Sequence, residues 1–160
     1  TRLGPARVHH CTRLIGMAEV LMQLMVARAK ERSTFGRAVI DYDTVQRSIA
    51  QSRIDIELAR IMVQRTAWLI DGQGHRGCWR DVSISKVAVP NMLQQVADRA
   101  MQIFGAMGGS DQLLIHHAYV YARSLRIGDG PDEVHLRQIF RTEQGPSWTI
   151  ADSPYVVPAA

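Results

Sequence analysis

The run Thr44-Val45-Gln46-Arg47-Ser48-Ile49-Ala50-Gln51-Ser52-Arg53-Ile54-Asp55-Ile56-Glu57-Leu58-Ala59-Arg60-Ile61-Met62-Val63 carries the strongest periodicity in this chain. Val45, Ile49, Ser52, Ile56, Ala59 and Val63 recur close to a seven-residue rhythm that continues to Ile70. Steps of three and four line one side of an α-helix, and a stripe this long calls for a partner helix. Asp43-Thr44 predicts the N-cap, and Asp71-Gly72-Gln73-Gly74 predicts the stop.

Partner helices are legible on either side. Leu14, Met17, Ala18, Leu21, Leu24 and Met25 mark one from about Pro5 to Lys30, with Pro5 suited to a first turn and the methionines to adaptable core filling. Ser33 to Asp43 breaks the rhythm and reads as a loop. A third helix opens at Asp81 or Ser83 and runs through Ile84, Val87, Val96, Ala100, Ile103 and Phe104 to the glycine-rich Gly105 to Gly109. Pro90 inside it predicts a bend or a later true start. Shorter helices follow from about Leu113 to Arg126 and from about Pro131 to Glu143. No convincing β-alternation is present. The expected architecture is all-α: an antiparallel, four-helix-bundle-like domain over 1–144 with an additional short C-terminal helix. Residues 145–160, with three prolines and no helical period, read as an irregular or disordered tail.

Composition narrows the function. At 160 residues, 46% apolar and 21% charged, the chain is one folded domain's worth, small for an enzyme enclosing both a dinucleotide and a CoA ester. The net charge of +4 is spread along helical patterns, which argues against nucleic acid. Cys11 and Cys78 lack metal-ligand spacing and suit a reducing compartment. No apolar run reaches the roughly 20 residues needed to cross a bilayer. The start at Thr1, without Met, suggests a processed or partial chain.

Chemistry concentrates in Leu125-Arg126-Ile127-Gly128-Asp129-Gly130-Pro131-Asp132-Glu133-Val134-His135, where an acid and a Gly-Pro step separate two helical patterns. An inter-helix turn can present a carboxylate to a cleft, whereas a helix interior mostly faces packed neighbours. On the residues alone, Asp129 reads first as a cap for the last helix, with Pro131 just inside its first turn.

Together with Arg32-Ser33-Thr34-Phe35-Gly36 and Gln102-Ile103-Phe104-Gly105, the Asp129-Gly130-x-x-Glu133 motif resembles the C-terminal helical domain of the acyl-CoA dehydrogenases over about Arg2 to Glu143. The closest branch ends in a Gly-Pro-Asp-Glu-Val-His run, here Gly130 to His135. The resemblance implies FAD-dependent α,β-dehydrogenation of an acyl-CoA thioester, with Asp129 as the catalytic base. That job asks for a carboxylate shed of water, because desolvation disfavours the charged form and strengthens the base. Many members carry Glu there; Asp is one methylene shorter, so the backbone or thioester must sit closer. The resemblance further implies that the Gly130 N–H binds the thioester carbonyl and that Arg7 contacts CoA. Arg32, Thr34, Phe35, Gln102, Gly105 and Ala106 would hold FAD, often across a subunit boundary, and Glu133 would lie near the cofactor. Pro131 stands where Thr is common and removes a hydroxyl and an N–H; Tyr42-Asp43 replaces a common His-Gln pair. The implied partners are acyl-CoA, an electron-transfer flavoprotein and further copies of the chain, as a homo-oligomer (dimer or tetramer). The implied location is intracellular: cytoplasmic if bacterial, mitochondrial or peroxisomal if eukaryotic.

Two other readings fit parts of this pattern. A di-iron bundle shares the architecture, and Asp132 with His135 has an i, i+3 spacing, but the paired Glu-x-x-His motifs are absent; His9-His10 and His116-His117 point different ways on a helix. The other is a non-catalytic helical interaction module from a truncated or split dehydrogenase, since the family's N-terminal and middle domains have no counterpart here.

Overall fold

The computed structural model describes residues 3–144; the expected tail at 145–160 lies outside them. Five helices follow one another: α1 (Leu3–Glu31), α2 (Asp43–Gly77), α3 (Trp79–Phe104), α4 (Leu114–Leu125) and α5 (Asp132–Glu143). The helix α3 is central, packing against α1, α2, α4 and α5. Among the described residues no helix is long and apolar enough to cross a membrane.

The core comes from the three- and four-residue spacing. Leu14, Ala18, Leu21 and Met25 on α1 meet Ile56, Ala59 and Val63 on α2, Val89, Leu93, Val96 and Ala100 on α3, and Ile115, Ala118 and Ala122 on α4, all in one buried cluster. The alanines carry no side chain beyond Cβ, so they let the rods approach closely, and the branched residues fill between them. Each fully buried Leu or Ile contributes roughly 1.5–3 kcal/mol by leaving water.

Three local expectations need correction. The segment read as a loop contains a small antiparallel hairpin, β1 (Ser33–Thr34) with β2 (Arg37–Ala38), followed by a 3-10 turn at Val39–Asp41. Its turn residues Phe35 and Gly36 both have positive φ, 50° and 81°, which matches the twist of a two-residue hairpin. Two-residue strands are too short to register as alternation. Asp43 does not cap α2: the cap position is Tyr42 with no side-chain bond, and the Asp43 carboxylate accepts from Arg47 Nε one turn on at 2.7 Å. The expected stop at Asp71 to Gly74 reduces to one break at Gly74 (φ 71°, ψ 162°), after which helical turns resume to Gly77.

The third helix begins at Trp79, earlier than either expected start, and runs through Pro90. Pro90 is buried among neighbouring helices, whose packing outweighs the single backbone bond it forfeits.

Candidate active site

The turn between α4 and α5 is held from four sides. Lys86, buried in α3, donates its Nζ to the Leu125 carbonyl at the end of α4. Arg126 Nε donates to Asp132 Oδ2 at 2.7 Å, bracing the turn across its mouth, while its Nη1 donates to Gln94 Oε1 on α3 at 3.0 Å. The backbone closes the loop where Asp132 N–H donates to the Arg126 carbonyl at 3.1 Å. From α1, Arg7 Nε donates to the Asp129 carbonyl at 2.9 Å, and its guanidinium lies over the Trp79 ring, 5.2 Å from the centroid.

This bracing explains the backbone at the tip. Asp129 takes a left-handed φ of 57°, which an Asp tolerates but which persists only when its surroundings over-determine it. Gly130 follows at φ 106°, and a Cβ there would stand 3.0 Å from His135 Nε2, so both the conformation and the space call for glycine. The Asp129 carboxylate is about one-third exposed, and its Oδ2 lies 3.2 Å from His10 Nε2. Asp129 is not the cap of α5: the cap position is Pro131, with no side-chain bond.

Beneath the turn the environment is buried and cationic. His135 is 2% exposed and its Nδ1 shares a hydrogen bond with Ser83 Oγ at 3.2 Å. Burial, then the charges of Arg7 and Lys86, hold its imidazole below the usual histidine range. Burial likewise lowers the Lys86 ammonium. A cleft of about 370 Å³ opens beside these groups, lined by Arg7, Trp79, Ser83, Val134, His135 and Gln138. The i, i+3 pair Asp132 and His135 is thus divided, with Asp132 turned to Arg126 and His135 to Ser83.

The other motif residues gather at the far end of α1. Arg32, Thr34, Phe35 and Gln102 line one cleft of about 560 Å³ between the hairpin, α2 and the end of α3. Tyr42 ties the hairpin down, its hydroxyl donating to the Thr34 carbonyl at 2.8 Å while Arg37 stacks over its ring at 3.7 Å. The hydrogen bonding with Thr34, then with Arg37, draws the Tyr42 phenol below its usual range. Phe35 is wholly exposed. Gly105 (φ 70°) faces this cleft, since a Cβ on it would approach Arg32 Nη1 at 3.6 Å. Ala106 is exposed on the turn that follows.

So the motifs expected from the sequence assemble into two groups: Arg7, Asp129 and Gly130 at one end, and Arg32, Thr34, Phe35, Gln102, Gly105 and Ala106 at the other. Glu133 stands apart, exposed in the first turn of α5. Sequence reading missed His10, Lys86 and Trp79. Only His10 carried a usable signal, lying three residues beyond Arg7 and so on the same helix face.

A five-helix unit with a braced acidic turn at one end and an Arg-Gln cleft at the other defines the class of domain. The family described as acyl-CoA dehydrogenase, C-terminal domain, matches residues 1–143, and the chain belongs to it. It is 45% identical over 142 residues to the probable acyl-CoA dehydrogenase FadE2 of Mycobacterium tuberculosis, covering 89% of this chain and 35% of that protein. Acyl-CoA dehydrogenase family member 10 of Mus musculus is 42% identical over the same share of this chain, which spans 13% of that protein. Among solved structures, an acyl-CoA dehydrogenase from Geobacillus kaustophilus superposes with a TM-score of 0.77 at 27% identity, covering 88% of this chain and 37% of that one. The chain thus spans about a third or less of the relatives it matches.

Proposed function

We propose that this chain supplies the C-terminal helical bundle of an FAD-dependent acyl-CoA dehydrogenase, with Asp129 as the base that removes the α-proton of an acyl thioester. The observation that carries the reading is the Asp129 turn: a carboxylate partly open to solvent, on a left-handed backbone fixed by Arg7, next to a cleft. A structural acid would be spent on a cap or a guanidinium, as Asp132 is on Arg126.

The Arg32 cleft suits a dinucleotide. Arg32 offers a planar fork for phosphate oxygens, Gln102 an exposed amide, Gly105 a backbone without a Cβ in the way, and Phe35 a free aromatic face. Bound FAD supplies the two-electron acceptor for the hydride leaving the β-carbon. Asp129 takes the proton from the α-carbon. Among the described residues the Gly130 N–H makes no backbone hydrogen bond, and in this reading it is the donor to the thioester carbonyl, where negative charge develops. Arg7 lines the adjoining cleft with Trp79 and offers its charge to the CoA moiety, and Glu133, exposed in the first turn of α5, would lie near FAD.

The two groups lie at opposite ends of α1, a helix of 29 residues, so about 40 Å separates them at the usual helical rise. One bundle therefore gives its base to one flavin and its clasp to another, and the working form is a homo-oligomer, dimer or tetramer. Electrons leave through an electron-transfer flavoprotein, in an intracellular setting.

The test uses the full-length protein that carries this domain. Asp129→Asn should retain flavin but lose acyl-CoA-dependent flavin bleaching by roughly a thousandfold, within the usual range for a general base. Undiminished bleaching would remove Asp129 from the role and favour a non-catalytic interaction module.

A further inference from the structure

Resting on the reading of Asp129 as the base, we propose that His10 is a positioning residue that holds one carboxylate oxygen of Asp129 and so turns the other toward the α-carbon of the acyl thioester. Arg7 fixes the Asp129 backbone through its carbonyl, which leaves the side-chain torsions as the remaining freedom. A short acid gains most from having that freedom removed, because a small misplacement of a reacting group is costly in rate. His10 stands where this can be done. It lies one turn beyond Arg7 on α1, and its Nε2 approaches Asp129 Oδ2 to 3.2 Å. Two successive turns of one helix thus engage both ends of a single residue, its carbonyl and its carboxylate.

The ring's other nitrogen defines which tautomer serves. His10 Nδ1 is sealed inside the protein and has no hydrogen-bond partner among the described residues. With the hydrogen on Nε2, the carboxylate receives a donor and Nδ1 keeps a lone pair. The opposite tautomer would bury an unpaired N–H and set a lone pair against the carboxylate, two unfavourable contacts at once. His10 therefore presents its Nε2 edge to Asp129 at ion-pair distance, and closing that approach into an aligned N–H···O contact is what the positioning role requires. His9, adjacent in sequence, is exposed, its ring centroid 6.3 Å from that of His10, and it takes no part.

The inference is tested in full-length, flavin-loaded protein by stopped-flow reduction with acyl-CoA. His10→Ala should slow flavin reduction by about ten- to hundredfold, the weight of one hydrogen bond to a charged group, while acyl-CoA affinity and flavin content stay within about twofold of wild type. His10→Gln, which keeps an N–H donor near the position of Nε2, should recover most of the rate. A His10→Ala rate equal to wild type, or a His10→Gln variant as slow as His10→Ala, overturns the role. A readout free of turnover comes from thermal unfolding of the flavin-free protein. His10→Ala and Asp129→Ala should shift Tm non-additively when combined, and simple additivity overturns the contact. Failure of the base itself shows differently, as undiminished bleaching in Asp129→Asn; a fast His10→Ala beside a dead Asp129→Asn sinks the positioning role alone.

Discussion

The two ends of α1 are built on opposite plans. At the Asp129 end side chains brace one another and the backbone: Lys86 on a carbonyl, Arg126 on Asp132, Arg7 on the Asp129 carbonyl, His135 on Ser83. At the Arg32 end Phe35 and Gln102 face solvent, and the hairpin is tied back by the Tyr42 hydroxyl and by the Val39 N–H on the Arg32 carbonyl. The difference teaches that the first end is preorganised by its own chain, so its geometry should survive on the bundle's stability alone. The second offers exposed surface, and its value depends on what another molecule brings to it.

The sharpest way to break this comparison is complementation. Asp129→Asn and Arg32→Ala oligomers should each be nearly inactive at limiting FAD. Mixed oligomers should regain activity, because one of the shared sites then has both an intact base and an intact clasp. No recovery above the separate variants would mean that the base and clasp of one chain serve the same flavin. Taken alone, Arg32→Ala should weaken FAD affinity by roughly ten- to hundredfold, as expected for a lost charge-assisted contact, with fold stability nearly unchanged. Unchanged FAD affinity in a titration would refute the assignment.

The preorganised end makes its own predictions. Gly130→Ala should destabilise by about 1–3 kcal/mol in urea unfolding, since the new Cβ meets His135 at 3.0 Å and the φ of 106° disfavours any side chain. A smaller effect follows from His135. Its folded-state affinity for a proton is reduced relative to the usual 6.5, so below that pH the unfolded chain binds more protons. Stability is then full above about pH 6.5 and falls as the pH drops from there toward the lowered folded value. His135→Gln should flatten that acid limb, measured as Tm against pH. Smallest of all, Phe35→Ala should change stability by no more than about 0.5 kcal/mol, as for an exposed side chain, while loosening FAD retention.

Much of the bundle was legible because helix spacing is a long-range signal repeated many times over, as in Ser52, Ile56, Ala59 and Val63. What failed was local. Asp43 has the right residue type for a cap, but Arg47 one turn on competes for its carboxylate. Pro90 reads as a breaker until the surrounding core is known. The hairpin at Ser33 to Ala38 depends on backbone conformation at Phe35 and Gly36, which alternation does not encode. Of the site, the motif residues could be read from their order along the chain. The bracing by Lys86 and Trp79 could not, since it rests on contacts between segments far apart in sequence.

The unbroken length of α1 has a consequence for how such a chain can change. Side chains along it can be exchanged one at a time, but its count of residues cannot. Inserting or deleting one residue between Cys11 and Ala29 would rotate one end against the other by about 100° and shift it by about 1.5 Å. The core would be thrown out of phase, and the hairpin would turn a different face outward from the bundle. Sequences descended from this one should therefore vary in letters along this rod while keeping its length.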